Sequence, residues 1–188
     1  MTGWSLTTAE LRDWLAGLLG EGRRIIAPVQ RDRLRIFRPI VSADEVCLAP
    51  GQTRWSAKEY LFPRTEAVFS YTVRGAEVTI EGARAGGEPQ VLFGVRACDA
   101  AGFCRLDAVF LDGPADPLYA GRRGRSVVVT LACADAEPEC FCAAVGGHPA
   151  GEEGADAQLL PAGDGWILRA LTSSGEALTA SLAGRPTT

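Results

Sequence analysis

One lysine, one histidine and one methionine are all that 188 residues contain of those types, and no apolar run approaches the ~20 residues that a membrane helix requires. Each scarcity excludes something. Without such a run, no membrane span is expected. The opening Met1-Thr2-Gly3-Trp4-Ser5-Leu6 lacks the basic segment and long apolar core of a secretory signal, which makes a reducing cytoplasm the expected compartment. The net charge of −4 lacks the basic excess of a nucleic-acid binder. No G-x-G-x-x-G fingerprint occurs, so flavin or nicotinamide binding is left to a partner. Among nineteen basic residues only Lys58 is lysine. With abundant Ala and Gly, that arginine bias reads as genome composition, and Lys58 stands out against it.

What the chain does have is cysteine, six in all. The length suits one domain able to bury its core without disulfides. In a reducing compartment, closely spaced thiols then point to metals or catalysis. Three of them, Cys133, Cys140 and Cys142, fall within ten residues.

Along the chain, Thr7 and Glu10 form a capping box ahead of a helix that puts Leu11, Trp14, Leu15 and Leu18 on one face. Residues 1–22 therefore read as an N-terminal amphipathic helix, 23–180 as an α+β domain and 181–188 as a flexible tail. Strand-like runs at 25–29 and 34–38 suggest a hairpin, and those at 69–73 and 77–80 suggest another around Gly75. Cys47, isolated between apolar residues, reads as a small buried hydrophobe. The segment Trp55 to Glu66 reads as a loop and short helix, with Lys58 a compact positive charge. Gln90 to Arg96 is a continuous apolar run of strand length. Asp99 is expected to cap a helix whose stripe is Phe103, Leu106, Val109 and Phe110, and Cys98 then falls at the strand-to-helix junction, where N–H donors and the helix dipole favour an anion. Asp116-Pro117 opens a short helix ending in Arg122-Arg123. Ser126 to Ala132 is strand-like, with Cys133 at its end. If those two strands are parallel neighbours, Cys98 and Cys133 share one rim. A last hairpin is expected over 157–171, turning at Gly163 to Gly165. The expected class is α+β, a single domain with a mixed β-sheet and a few covering helices.

In an extended backbone, Cys140 and Cys142 would share a face with Cα atoms ~6.6 Å apart. That spacing suits the separate corners of an iron–sulfur cluster better than zinc, which takes C-x₂₋₄-C pairs. It is no C-x-x-C redox pair either. Spacing alone leaves three readings open: an iron–sulfur site, zinc, or redox-active or merely buried thiols. Cys104, near an apolar helix face, reads as core. His148 reads as a solvated loop residue with a ligand role conceivable.

Taken in order, Gly94-Val95-Arg96-x-Cys98-Asp99, Leu106-Asp107-x-Val109-Phe110, Asp116-x-x-Tyr119-x-x-Arg122-Arg123 and Cys133-x₆-Cys140-Phe141-Cys142 resemble the beta, electron-transfer subunit of cytoplasmic nickel–iron hydrogenases and sulfhydrogenases. The related iron–sulfur subunit of anaerobic sulfite reductase is similar. Lys58 to Pro63, Gly154-Ala155-Asp156 and Trp166-Ile167-Leu168 also fit, so the resemblance covers about residues 50 to 175. It implies an iron–sulfur protein relaying electrons between a flavin- or ferredoxin-type partner and a catalytic oxidoreductase subunit. Family members continue into a ferredoxin-like domain with two runs of closely spaced cysteines, which this sequence lacks; a stand-alone version or a truncated one is expected. The expectation is one 4Fe-4S cluster on Cys98, Cys133, Cys140 and Cys142, tuned by Lys58 and Arg96, in a component without catalysis of its own. The alternatives are a scaffold or assembly module with structural zinc or unoccupied thiols, and a thiol oxidoreductase.

Overall fold

A computed structural model describes residues 3–49, 51–83 and 86–182. The tail expected over 181–188 lies, from residue 183 on, outside the described residues, as do positions 84 and 85 of the loop after the second hairpin. The strands are β1 (Gly3–Thr7), β2 (Arg24–Arg31), β3 (Leu34–Pro39), β4 (Phe69–Arg74), β5 (Glu77–Gly82), β6 (Gln90–Val95), β7 (Ser126–Leu131), β8 (Ala157–Ala162) and β9 (Gly165–Ala170). The α-helices are α1 (Thr8–Gly20), α2 (Ala97–Phe110), α3 (Pro117–Arg123) and α4 (Ser173–Thr179).

Seven strands form one mixed sheet in the order β1-β9-β8-β7-β6-β2-β3, and β4-β5 form a separate pair. Strands β2, β6, β7 and β8 run parallel, with antiparallel pairs at both edges. The architecture is the expected α+β one. The apolar runs at β6 and β7 are buried on both faces because helices cover both. Val91, Phe93, Val129 and Leu131 face a core shared with Leu11, Trp14 and Leu15 of α1. Leu92, Val95 and Val128 face the opposite core with Phe103 of α2 and Tyr119 of α3. The Thr7–Glu10 capping box is formed as read from sequence.

Two elements escaped the sequence reading. Strand β1 alternates Trp4 and Leu6 inward and pairs with β9, but its five residues run straight into the helix cap. Helix α4 is only seven residues long, too short for a stripe to declare itself. The stripe of α2 also needs correction: Ala100 and Phe103 are buried, whereas Val109 is 71% exposed. The helix ends in solvent past Phe110, and only its first three turns lie on the sheet.

Gly94 shapes the end of β6. Its φ is +74°, the ladder to β7 shifts register there, and a Cβ at this position would stand 3.0 Å from Pro28 Cδ. A residue that must be left-handed and lie flat against a proline has to be glycine. The bulge carries Val95, Arg96 and Cys98 up onto the rim.

Candidate metal centre

Because β6 and β7 are parallel neighbours, the segments that leave their C-terminal ends emerge side by side. Cys98 follows β6 by three residues, and Cys133 follows β7 by two. Rims of this kind are where sheets with parallel strands hold ligands.

Helix α2 begins earlier than its sequence suggested. Arg96 occupies the cap position, Ala97 is the first helical residue, and Cys98 and Asp99 lie inside the first turn. Asp99 does not cap because its carboxylate accepts instead from Ser56 Oγ at 2.8 Å. That contact ties the segment 55–66 to α2. The Cys98 thiol lies over the open first turn. Partial desolvation, then the Asp99 carboxylate and then Cys133 push its pKa up, against the backbone N–H of Asp99, which lowers it.

Arg96 makes no side-chain cap. Its guanidinium crosses the rim, donating from Nη1 to Cys133 Sγ at 3.8 Å and from Nη2 to the Gly51 carbonyl at 2.5 Å. Burial raises the Cys133 thiol, while Arg96 opposes that rise by charge and hydrogen bond. Arg35 of β3 donates to the carbonyls of Ala49 and Gly51, each at 2.9 Å. Two arginines thus hold one loop over the cysteines. The next residue, Gln52, donates from Nε2 to Cys140 Sγ at 3.6 Å, and the Glu137 N–H donates to the same sulfur at 3.3 Å.

Cys140 and Cys142 do not lie on an extended strand. Cys140 closes a turn onto the Glu137 carbonyl, Phe141 has φ −135° and ψ 9°, and Cys142 starts a 3-10 turn over Cys142–Val145. The Pro138 and Gly146-Gly147 flanks favour turns, which a reading from spacing alone overlooks. Gly147 N–H then closes on the Cys142 carbonyl at 2.8 Å.

The thiols are electrostatic neighbours. Cys98 feels Cys133 and Cys142, and Cys133 feels Cys140 and Cys142, each raising the other's pKa. They share the rim without converging on a point: among the described residues, no three His, Cys, Asp or Glu side chains gather closely enough to hold one metal ion. Cys104 is apart from this set. It lies half-buried on α2 where a Cβ on Gly154 would come within 3.0 Å of its sulfur, and burial, Glu153 and Asp107 raise its pKa. Cys47 is likewise half-buried. His148 is an exposed loop residue whose Nδ1 accepts from the Ala150 N–H at 3.0 Å.

Lys58 sits in the 3-10 turn Ala57–Tyr60, capped by Ser56, with its side chain exposed. Its Nζ lies 3.8 Å from where a Cβ on Gly102 would be, one turn along α2 from Cys98. Sequence reasoning missed the loop through Gly51 and Gln52, because neither residue type announces a sulfur contact.

Several motif residues hold the scaffold rather than the rim. Asp107 accepts from Tyr119 Oη at 2.7 Å and from Arg123 Nε at 3.1 Å. Arg122 pairs with Glu66 and donates to the Leu61 carbonyl at 2.7 Å. Asp156 accepts from the Val128 N–H at 2.8 Å and from Thr172 Oγ1 at 2.7 Å, joining β7 to the start of α4.

Over 152 residues this chain is 34% identical to sulfhydrogenase 2 subunit beta of Pyrococcus furiosus, a homologue. The match takes in 80% of this chain and 43% of that protein, so the chain spans less than half its relative's length. No family model matches the chain, and no solved structure matches it. No helix among the described residues is long and apolar enough to cross a membrane.

Proposed function

We propose that this homologue of a sulfhydrogenase beta subunit is an electron-transfer component of an oxidoreductase complex, holding one 4Fe-4S cluster through Cys98, Cys133, Cys140 and Cys142. The observation that carries the reading is the rim itself: four thiols in mutual electrostatic reach, with donors from Arg96, Gln52 and the Glu137 N–H on two of their sulfurs. This donor set suits a cluster. Each of its four irons takes one thiolate at a separate corner, so the sulfurs need to surround a volume and not a single point. Such a cluster supplies one-electron chemistry.

The chain's own residues would set how easily the electron is accepted. Arg96 places positive charge on the Cys133 sulfur, Lys58 adds a second charge beside α2, and Gln52 donates to Cys140. Hydrogen bonds and cations near ligand sulfurs are the protein's main levers on potential. The first turn of α2 adds its dipole at Cys98. A relay with one cluster needs neighbours on both sides. The reading therefore sets two partners against this rim in the cytoplasm, one of flavin or ferredoxin type and the other a catalytic subunit.

The test is anaerobic purification followed by iron and acid-labile sulfide analysis, with visible and paramagnetic resonance spectra before and after reduction. Four irons and four sulfides per chain, with a signal that appears on one-electron reduction, is the expected result. Colourless protein with one zinc, no sulfide and no reconstitution would overturn it in favour of a structural zinc site.

A further inference from the structure

The hairpin β4–β5 stands outside the seven-stranded sheet, and every residue of both strands is exposed. It is amphipathic. Its register pairs Tyr71 with Ile80, Val73 with Val78 and Phe69 with Gly82, placing all five apolar side chains on one face, each between 56% and 67% exposed. Ser70, Thr72, Thr79 and Glu81 take the other face. A lone two-stranded hairpin is marginal in water, and an uncovered apolar face of this size marks a contact surface.

We propose that this face docks against the same face of a second copy of this chain. Five side chains exposed to this degree offer on the order of 500 Å² of apolar area per copy. A symmetric pair therefore buries on the order of 1,000 Å², the area at which a specific interface becomes stable. The face carries no charge, so a twofold pairing sets no like charges against each other. It is also shaped for itself. Phe69 projects opposite Gly82, where a Cβ would meet nothing within 4 Å. A twofold axis along the strands seats Phe69 over Gly82 of the second copy, Tyr71 over Ile80 and Val73 over Val78, an isologous contact.

The experiment is sedimentation of the full chain across a micromolar concentration series, with hydrogen exchange of residues 69–82 at the two extremes. A monomer–dimer equilibrium is expected, with slower exchange in the hairpin at high concentration. Tyr71→Glu with Ile80→Glu should leave only monomer, whereas Thr72→Glu on the opposite face should leave the dimer unchanged. A chain that stays monomeric throughout overturns the proposal, as does a dimer that survives the double substitution. Hairpin exchange that is independent of concentration and slows only when a different protein is added overturns it too.

Discussion

Arg96 Nη1 stands 3.8 Å from Cys133 Sγ, across the gap between the ends of two neighbouring parallel strands. The same guanidinium holds the Gly51 carbonyl. One side chain thus couples the β6 exit, the β7 exit and the loop that carries Gln52. Replacing Arg96 by Gln removes a charge beside a ligand sulfur and frees that loop. The reduced cluster loses more than the oxidised one, so the potential should fall by about 60 mV, a tenfold change for a one-electron couple. Arg96→Lys keeps the charge and should restore part of the drop. A redox titration followed by paramagnetic resonance measures both. Equal potentials in all three proteins would remove Arg96 from the tuning role.

Cys98 and Cys104 lie nearly two turns apart on α2 but in different surroundings. Cys98 is at the rim with Cys133 and Cys142 as electrostatic neighbours, and Cys104 is packed toward Gly154. Cys98→Ser should therefore lose most of the iron and sulfide, and Cys104→Ser should keep both. Metal analysis of the two purified variants decides it. Loss at Cys104 with retention at Cys98 would reverse the ligand assignment.

Much of this was legible in the chain because it rests on short-range rules. The continuous apolar runs of β6 and β7 declared strands buried on both faces, and cysteines at their ends declared a shared rim once the strands proved parallel. Asp116-Pro117 announced α3, and Asp116 Oδ1 does accept from the N–H groups of Leu118 and Tyr119 at 2.9 and 2.8 Å. Illegible were the features set by distant partners. Asp99 looked like a cap, yet Ser56, forty-three positions away, takes its carboxylate. Gln52 gave no sign of meeting Cys140, eighty-eight positions on. The Asp107, Tyr119 and Arg123 motif positions carried no label saying that they hold α2 to α3.

That link gives the third prediction. Tyr119 is fully buried, its hydroxyl donates to Asp107, and burial with that bond pushes its pKa well up. Tyr119→Phe removes one hydrogen bond but leaves Asp107 paired with Arg123, and should cost about 1 kcal/mol. Asp107→Ala leaves both the hydroxyl and the guanidinium without their partner, and should cost roughly 2 to 3 kcal/mol. Urea unfolding of both and of the double variant measures the coupling. Strict additivity would mean that the three groups do not act as a unit.

Acid should expose a different contact. Glu45 accepts from the N–H groups of Val41 and Ser42 at 2.8 and 3.1 Å and pairs with Arg38, and these bonds hold its carboxyl below the ordinary value. A carboxylate with a depressed folded pKa contributes stability that is fully present above its unfolded pKa, about 4.3, and is lost as pH falls through the folded one. Glu45→Gln retains an acceptor but not the charge, so near neutrality it should cost about 1 kcal/mol. The pair is partly exposed, which keeps the figure at the low end. The difference between the two proteins should hold steady from pH 7 to about 5 and shrink below about 4.3 as the wild-type carboxylate takes up its proton. Urea midpoints across that range test it. A gap that stays constant down to full protonation would show that shape, and not charge, holds β3 to the turn at Ala43–Glu45.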